Sequence, residues 1–304
     1  MVFQSCSKKE MPLMPDVRPF PPPPSFVAIW GGMGVAGWEL TWPEGVAADG
    51  SGNIYATGSK SSRIQKFDVH GNTITAWGSL GDGAGEFSNP VGVAADGSGN
   101  VYVADRDNHR IQKFDFEGKY IIMWGGWGEE AGRFKVPHGV AVDGNGNVYV
   151  ADTGNHRIQK FDSIGNTITV WGSEGNDEGD FFWPYGVTVD GSGNVYVADT
   201  WNHRIQRFTP SGEFLGKWGG LGSGDGQLYC PAGVAVDGNG NVYVADTRNN
   251  RMQKFNSEGS YITRWGRKGN RAAEFAGPYG VAADCSGKIY IADSGNNRIQ
   301  VFGY

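Results

Sequence analysis

The stretch "PHGVAVDGNGNVYVADTGNHRIQKFD" (137–162) contains most of one structural unit of this 304-residue chain. Within it, "NVYVAD" (147–152) and "RIQKF" (157–161) alternate in side-chain character, as the two faces of a pleated strand require. The segment "DGNGN" (143–147) has the composition of a hairpin turn, because glycine adopts positive φ and Asp and Asn close the turn. With "TITVWG" (167–172) added, the unit is predicted to be four short antiparallel strands, named a to d.

The unit recurs with a period of 47 residues. A proline before a "GV" pair marks each copy, and so does a tryptophan before a glycine. The prolines lie at positions 43, 90, 137, 184, 231 and 278, and the tryptophans at 30, 77, 124, 171, 218 and 265. Six copies of a four-stranded unit of this length are typical of a β-propeller, in which each blade buries its faces against its neighbours.

The two ends of the chain predict how the ring closes. The last copy stops at "RIQVFGY" (298–304) and lacks strand d, whereas "FVAIWG" (26–31) is a strand d with no a, b or c before it. Since closure protects the sheet edges, we expect the N-terminal strand to complete the last blade. The sequence thus predicts an all-β, six-bladed propeller with four-stranded antiparallel blades over residues 26–304.

The pattern in residues 137–162, followed by "WG" (171–172), resembles the NHL-repeat family. The resemblance implies that strand a lines a central channel and that the b–c and d–a loops share one face, here called the top face. Blade 1 departs from the pattern, because Gly58 replaces the aspartate and "SKSS" (59–62) replaces the residues before the arginine. Family members include ligand-binding sensors, protein-interaction modules, RNA-binding domains and a few lyases, so the fold alone does not select a function.

Asp152, His156 and Arg157 could form an acid–base group, but the repeat favours a structural role. The aspartate recurs in five copies and the arginine in all six, whereas the histidine becomes Asn250 and Asn297 in the last two. An active site needs one acid rather than five. We therefore expect each aspartate to bind its arginine across the b–c turn through a charge-assisted hydrogen bond.

Composition excludes several classes of function. The net charge is −6, and 11 of the 26 Lys and Arg residues lie at two repeated positions around the ring, so no basic patch for nucleic acid is predicted. No apolar run reaches the length of a membrane-spanning helix. The three cysteines have no metal-binding spacing, and His138 is the only histidine expected at the channel mouth, so neither a metal site nor a cofactor is predicted.

The positions that vary between copies are the candidates for recognition. By the resemblance, the residue after the motif proline lies at the channel mouth, and it is Glu44, Val91, His138, Tyr185, Ala232 or Tyr279. The residue before the proline is Trp42, Asn89, Val136, Trp183, Cys230 or Gly277, and the b–c loop tips add Lys60, Arg106, Asp107, Trp201 and Arg248. Exposed aromatic residues beside charges are typical of recognition surfaces. The predicted binding residues are Trp42, Glu44, His138, Trp183, Tyr185, Trp201 and Tyr279, with the alternative that Trp42 and Trp183 cover the tops of blades.

The function favoured by these features is a monomeric, non-enzymatic binding or scaffold module that recognises a protein, peptide or glycan through its top face. A first alternative is a lyase or hydrolase at the channel mouth, in which His138 and Glu44, two blades apart, are the acid–base pair. A second alternative is a structural spacer in a cell-surface assembly.

The N-terminal segment 1–25 does not join the repeat. Seven of its residues are proline, which favours an extended spacer. The sequence "CSKK" (6–9) resembles the start of a mature bacterial lipoprotein lipidated at Cys6, although the five residues before it are too few for the apolar region of a signal peptide. If Cys6 is not incidental, the segment is a tether, membrane contact occurs only through the lipid, and the protein is extracytoplasmic, either periplasmic or on the cell surface.

Overall fold

The computed structural model describes residues 22–32 and 40–304, and over these residues 24 strands form six four-stranded antiparallel sheets. Each sheet is one blade with its strands in the order a, b, c, d, as predicted. Blades 1 to 3 consist of β2 (Pro43–Ala48), β3 (Ile54–Gly58), β4 (Arg63–Phe67) and β5 (Thr73–Trp77); β6 (Pro90–Ala95), β7 (Val101–Asp105), β8 (Arg110–Phe114) and β9 (Tyr120–Gly125); and β10 (Val140–Val142), β11 (Val148–Asp152), β12 (Arg157–Phe161) and β13 (Thr167–Trp171).

Blades 4 to 6 follow the same plan. They consist of β14 (Pro184–Val189), β15 (Val195–Asp199), β16 (Arg204–Phe208) and β17 (Phe214–Gly219); β18 (Val234–Val236), β19 (Val242–Asp246), β20 (Arg251–Phe255) and β21 (Tyr261–Trp265); and β22 (Pro278–Ala283), β23 (Ile289–Asp293), β24 (Arg298–Gly303) and β1 (Ser25–Gly31). The b–c loops of blades 3 to 6 each contain one turn of 3-10 helix, at Thr153–Asn155, Thr200–Asn202, Thr247–Asn249 and Ser294–Asn296.

The N-terminal strand closes the ring. β1 pairs antiparallel with β24, and Trp30 lies opposite Ile299 in this pairing. Trp30 is buried, and its ring centroid lies 5.9 Å from that of Phe67 in blade 1 and 5.4 Å from that of Tyr290 in blade 6. One residue therefore joins the first and last blades, and the predicted closure is confirmed.

The apolar core lies between neighbouring blades. Phe87, from the loop that joins blades 1 and 2, is fully buried in a cluster with Tyr55 and Ile64 of blade 1 and Val101 and Phe114 of blade 2. Its ring centroid lies 5.6 Å from that of Phe114. Residues Phe134, Phe181, Leu228 and Phe275 are fully buried at the equivalent positions. Because these five d–a loops each supply such a residue, the blades are fixed to one another by apolar contact as well as by the closing strand.

A ring of six glycines sets how closely the a strands approach the channel axis. A Cβ atom added to Gly139 would lie 2.4 Å from the carbonyl oxygen of Tyr185 in the next blade. The same contact, at 2.1 to 2.4 Å, exists at Gly45, Gly92, Gly186, Gly233 and Gly280, and the last of these meets the carbonyl oxygen of Glu44 in blade 1. The glycine of the "GV" pair is thus required by the space between blades.

The repeated trio has the structural role that its recurrence indicated. Arg157 Nε lies 2.7 Å from Asp152 Oδ2, and its Nη2 atom donates to the carbonyl oxygens of Glu130 and Arg133 in the preceding d–a loop. His156 Nδ1 accepts a hydrogen bond from the backbone N–H of Trp183 at 3.3 Å. The asparagine copies keep this inter-blade bond, because Asn250 Oδ1 accepts from Gly277 and Asn297 Oδ1 accepts from Trp42, at 2.9 and 2.7 Å.

The part of the chain described by the structure contains no helix with the length and apolar character needed to cross a bilayer. Cys6 and most of the predicted tether lie outside the described residues, so lipidation at Cys6 stays a prediction.

Candidate functional site

The a strands of all six blades line a central channel with a cavity of about 200 Å³. Glycine, alanine and valine make up most of its wall. The polar side chains among the lining residues are those of Glu44, His138, Tyr185, Thr188 and Tyr279. Four of these five directly follow the motif proline, at the top of the channel. Hydrogen-bonding chemistry is therefore concentrated at the mouth, above an apolar wall.

Three aromatic rings meet at this mouth. The rings of His138 and Tyr185, from blades 3 and 4, stack with centroids 4.2 Å apart and an interplanar angle of 2°. Tyr279 comes from blade 6, on the opposite side of the ring, and its centroid lies 6.3 Å from that of His138 and 6.0 Å from that of Tyr185. The Tyr279 hydroxyl lies 3.4 Å from His138 Nδ1. Three of the predicted binding residues thus form one cluster, which we call the mouth cluster: His138, Tyr185 and Tyr279.

Burial keeps His138 and Tyr279 of the mouth cluster uncharged near neutral pH. Burial, assisted by the positive charge of Arg106, lowers the pKa of His138 to about 3. Burial, followed by the negative charge of Glu44, raises the pKa of Tyr279 well above its usual value. Neutral His138 is a hydrogen-bond acceptor or donor and a flat surface, but it is a weak proton acceptor.

Glu44 lies beside the mouth cluster, and its carboxylate places a negative charge next to Tyr279. The carboxylate is half-buried and accepts a hydrogen bond from Ser59 Oγ at 2.9 Å. Burial raises the pKa of Glu44, while the Ser59 hydrogen bond and the charges of Arg106 and Lys60 oppose that increase. Within the described residues Glu44 makes no hydrogen bond to His138, so the structure does not bring the predicted acid–base pair into direct contact.

The predicted tryptophans lie around the mouth rather than in it. Trp42 is 37% exposed, and Lys60 Nζ lies 4.1 Å from its ring centroid. Trp183 is half-buried and contacts the framework residue His156 edge to face at a centroid distance of 5.8 Å. Trp201 is 46% exposed on its b–c loop. We call Trp42, Trp183 and Trp201 the rim.

Sequence analysis placed Lys60 and Arg106 at loop tips but did not include them in the site. The structure places both near Glu44, where their charges act on its pKa. The exposed aromatic residues Phe182 and Tyr229 were missed altogether. The sequence could have indicated both residues. Phe182 and Tyr229 directly follow the buried d–a loop residues Phe181 and Leu228, and the equivalent residues at 41, 88, 135 and 276 are not aromatic.

No group of three or more His, Cys, Asp or Glu side chains is arranged to hold a metal ion in residues 22–32 and 40–304.

The NHL repeat model matches five segments, at residues 87–114, 134–161, 183–208, 228–255 and 275–302, one in each of blades 2 to 6. The chain belongs to the NHL-repeat family. Blade 1, which has Gly58 and Ser59 in its b–c turn, lies outside these matches. A search of curated proteins found no match to this NHL-repeat protein.

Several solved structures share its architecture. A streptogramin B lyase is 13% identical with a TM-score of 0.63, and the match covers 91% of this chain and 96% of that chain. A catalytically inactive virginiamycin B lyase from Staphylococcus aureus, determined with quinupristin, is 17% identical with a TM-score of 0.61 and coverage of 90% and 87%. Hydrazine synthase from Kuenenia stuttgartiensis is 12% identical with a TM-score of 0.61 and coverage of 90% and 98%. At these identities the likeness shows the fold alone.

Proposed function

We propose that this NHL-repeat protein is a binding module that holds a peptide segment of a protein partner on its top face. In this arrangement one end of the segment enters the channel mouth and the rest crosses the rim. The observation that carries the proposal is the convergence of His138, Tyr185 and Tyr279, which come from three different blades, into one stacked cluster at the channel mouth.

The charges around the mouth favour a peptide over a neutral glycan. Lys60 and Arg106 supply positive charge near Glu44, and Asp107 adds a second carboxylate. A peptide offers amide groups, charged ends and apolar side chains together, and so it can satisfy all of these groups at once. Exposed tryptophans such as Trp201 add rigid apolar contact area, which is characteristic of the residues that dominate binding energy at protein interfaces.

The proposal can be tested by selecting from a library of random peptides with free C termini. Wild-type protein is the bait, and enriched peptides are measured by isothermal titration calorimetry against wild type and Tyr279→Ala. Tyr279 is half-buried at the mouth, and its replacement removes a ring of the cluster. We expect enriched peptides to bind wild type and to lose about tenfold or more in affinity for the variant.

A matched control is Phe116→Ala, which removes an exposed aromatic ring from a c–d turn on the opposite face. Enriched peptides should bind this variant as they bind wild type. If selection yields no peptide, or only peptides indifferent to Tyr279→Ala, the proposal is wrong. Specific capture of an oligosaccharide on a glycan array, in the absence of peptide binding, would assign the same face to a glycan instead.

The alternative of a lyase or hydrolase at the mouth is motivated by the six-bladed architecture shared with the streptogramin lyases. The low pKa of His138 favours binding over catalysis, because a group with a pKa of about 3 is a poor general base at neutral pH. Incubation with quinupristin, followed by mass spectrometry, separates the two. Conversion that is lost in His138→Ala would support the enzyme, whereas the binding proposal predicts an unchanged compound.

The third possibility, a structural spacer, makes its own prediction. A spacer would lose no partner when the mouth cluster or the rim is altered, so every top-face variant would behave as wild type in the selection experiment.

A further inference from the structure

Arg106 occupies a position at which the repeat otherwise has a small hydroxyl residue. The equivalent residues in the other blades are Ser59, Thr153, Thr200, Thr247 and Ser294. In blades 3 to 6 this hydroxyl donates to the carbonyl oxygen of the motif proline in the next blade, as from Thr153 Oγ1 to Pro184 O at 2.6 Å. Because Pro184 directly precedes the mouth residue Tyr185, the equivalence places Arg106 beside Pro137 and His138, at the channel mouth.

The guanidinium group of Arg106 differs from those of the framework arginines. Arg110, four residues later, donates to Asp105 and to the carbonyl oxygens of Asp82, Gly83 and Glu86, so its donors are filled. Arg106 Nε is buried and makes no hydrogen bond within the described residues. Arg106 Nε forms an ion pair with Asp107 Oδ1 at 3.6 Å, a distance that is too long for a hydrogen bond.

Although its Nε atom is buried, the Arg106 side chain as a whole is partly exposed. Its exposed fraction is 33%, and its charge acts on the pKa values of His138, Glu44 and Tyr279. A buried, unfilled donor in a charged group is costly unless a partner completes it. The fork of guanidinium donors matches a planar carboxylate, which can accept two parallel hydrogen bonds. The mouth cluster beside it offers an apolar surface for the group that carries the carboxylate.

We propose that Arg106 binds the C-terminal carboxylate of the peptide segment at the channel mouth. This inference rests on the proposed function and deepens it by fixing which end of the segment enters. A carboxylate suits the site better than a phosphate dianion, because Glu44 and Asp107 lie nearby and repel a second negative charge more strongly. Repulsion by Glu44 therefore lowers the affinity for the carboxylate, whereas attraction by Arg106 raises it.

The test uses two small probes and three variants. N-acetyl-phenylalanine carries the carboxylate, and N-acetyl-phenylalaninamide is its neutral counterpart. Arg106→Thr restores the hydroxyl of the repeat, which Thr153 shows to be compatible with the fold. Arg248→Thr removes the same charge from an exposed b–c loop tip of blade 5. Glu44→Gln removes the negative charge at the mouth and keeps the size of the side chain. Binding is followed by NMR titration of the full chain.

We expect the carboxylate probe to bind wild type at least about tenfold more tightly than the amide. A hydrogen bond to a charged group contributes about 1.5–3 kcal/mol, and about 1.4 kcal/mol corresponds to a tenfold change in affinity. Arg106→Thr should lose that preference, Arg248→Thr should keep it, and Glu44→Gln should bind the acid more tightly than wild type does. Equal binding of acid and amide, no binding of either, or an unchanged preference in Arg106→Thr would each overturn the inference.

The failure of this inference is distinguishable from failure of the proposed function. Peptides selected on wild type can be resynthesised with amidated C termini and titrated again. If the amides bind as well as the acids and both are lost in Tyr279→Ala, the top face is a peptide site and Arg106 is not its carboxylate partner. Inorganic phosphate, added as a competitor, reports whether the arginine prefers a phosphate group, and displacement of the acid by millimolar phosphate would contradict the assignment to a carboxylate.

Discussion

His138 and Tyr185 lie face to face at the channel mouth, with ring centroids 4.2 Å apart and planes inclined by 2°. The two residues occupy the same position of the repeat in neighbouring blades, directly after the motif proline. Their stacking is therefore a direct product of the distance and rotation between adjacent blades. Because His138 is almost completely buried, the geometry of the mouth and the stability of the ring depend on the same contacts.

The stability of the protein should depend on His138 below neutral pH. An unfolded histidine binds a proton near pH 6.5, whereas buried His138 stays neutral down to a pH of about 3. In this window the unfolded state binds more protons, so the free energy of unfolding should fall as pH falls, by up to about 1.4 kcal/mol per pH unit from this group. In His138→Gln this contribution disappears, which urea unfolding between pH 7 and pH 4 would measure. His70→Gln, a change of an exposed histidine in a c–d turn, should keep the wild-type slope, and equal slopes in all three proteins would contradict the expectation.

Gly139→Ala should damage the ring. Its added methyl group would lie 2.4 Å from the carbonyl oxygen of Tyr185 and 2.8 Å from the backbone nitrogen of Val187, so blades 3 and 4 must separate. We expect the free energy of unfolding to fall by about 1–3 kcal/mol or more. Gly144→Ala is the control, because a Cβ atom there meets nothing within 4 Å and should change stability by less than about 0.5 kcal/mol. Urea denaturation compares the two, and similar midpoints would show that the a strands are free to move apart.

Trp30→Ala should open the ring where the ends of the chain meet. The side chain is buried between Phe67 and Tyr290, so its loss leaves a cavity between blades 1 and 6. The expected cost is about 3–5 kcal/mol. Val27→Ala, on the same strand but 53% exposed, should cost much less. Thermal unfolding followed by circular dichroism is the measurement, supported by proteolysis of the freed N-terminal strand. Equal melting temperatures for the two variants would mean that the closing strand contributes little.

Trp201→Ala should separate binding from stability. The ring is 46% exposed on its b–c loop, so its loss should change the free energy of unfolding by less than about 0.5 kcal/mol. As a rim residue it should nevertheless contribute about 1–2 kcal/mol to peptide binding, which corresponds to roughly 5- to 30-fold in affinity. Calorimetry with a selected peptide measures this, and a variant that binds like wild type would remove Trp201 from the site.

The repeat allowed the fold to be predicted almost completely. The 47-residue spacing of Pro43, Pro90 and their equivalents fixes the unit, and the missing strand after residue 304 matches the surplus strand that contains Trp30. Both inferences depend on pattern alone, because every blade must bury its faces against a neighbour of the same architecture. The structural role of the Asp152–Arg157 pair followed from the same recurrence and is seen at 2.7 Å.

The convergence of side chains at the channel mouth could be predicted only in part. Variation between copies identified Tyr185 and Tyr279 as candidates, but it did not show that they meet, because they lie two blades apart. Variation between copies also placed Arg106 on a loop tip without indicating its role in the site. That role depends on the hydroxyl group that Arg106 replaces in the repeat and on its own Nε donor, which has no hydrogen-bond partner within the described residues. Neither property is visible in a single copy of the repeat.

The sequence by itself determined the number of blades, their strand order, the closure at Trp30 and the framework bond at Arg157, since all of these are local or periodic. Tertiary structure alone decided which varying residues share a space. The pairing of Tyr279 with His138 across the channel, and the separation of Glu44 from His138, depend on the diameter of the ring at its mouth. That diameter is set by blade packing around the glycine ring, where the backbone of one blade meets the carbonyl group of the next.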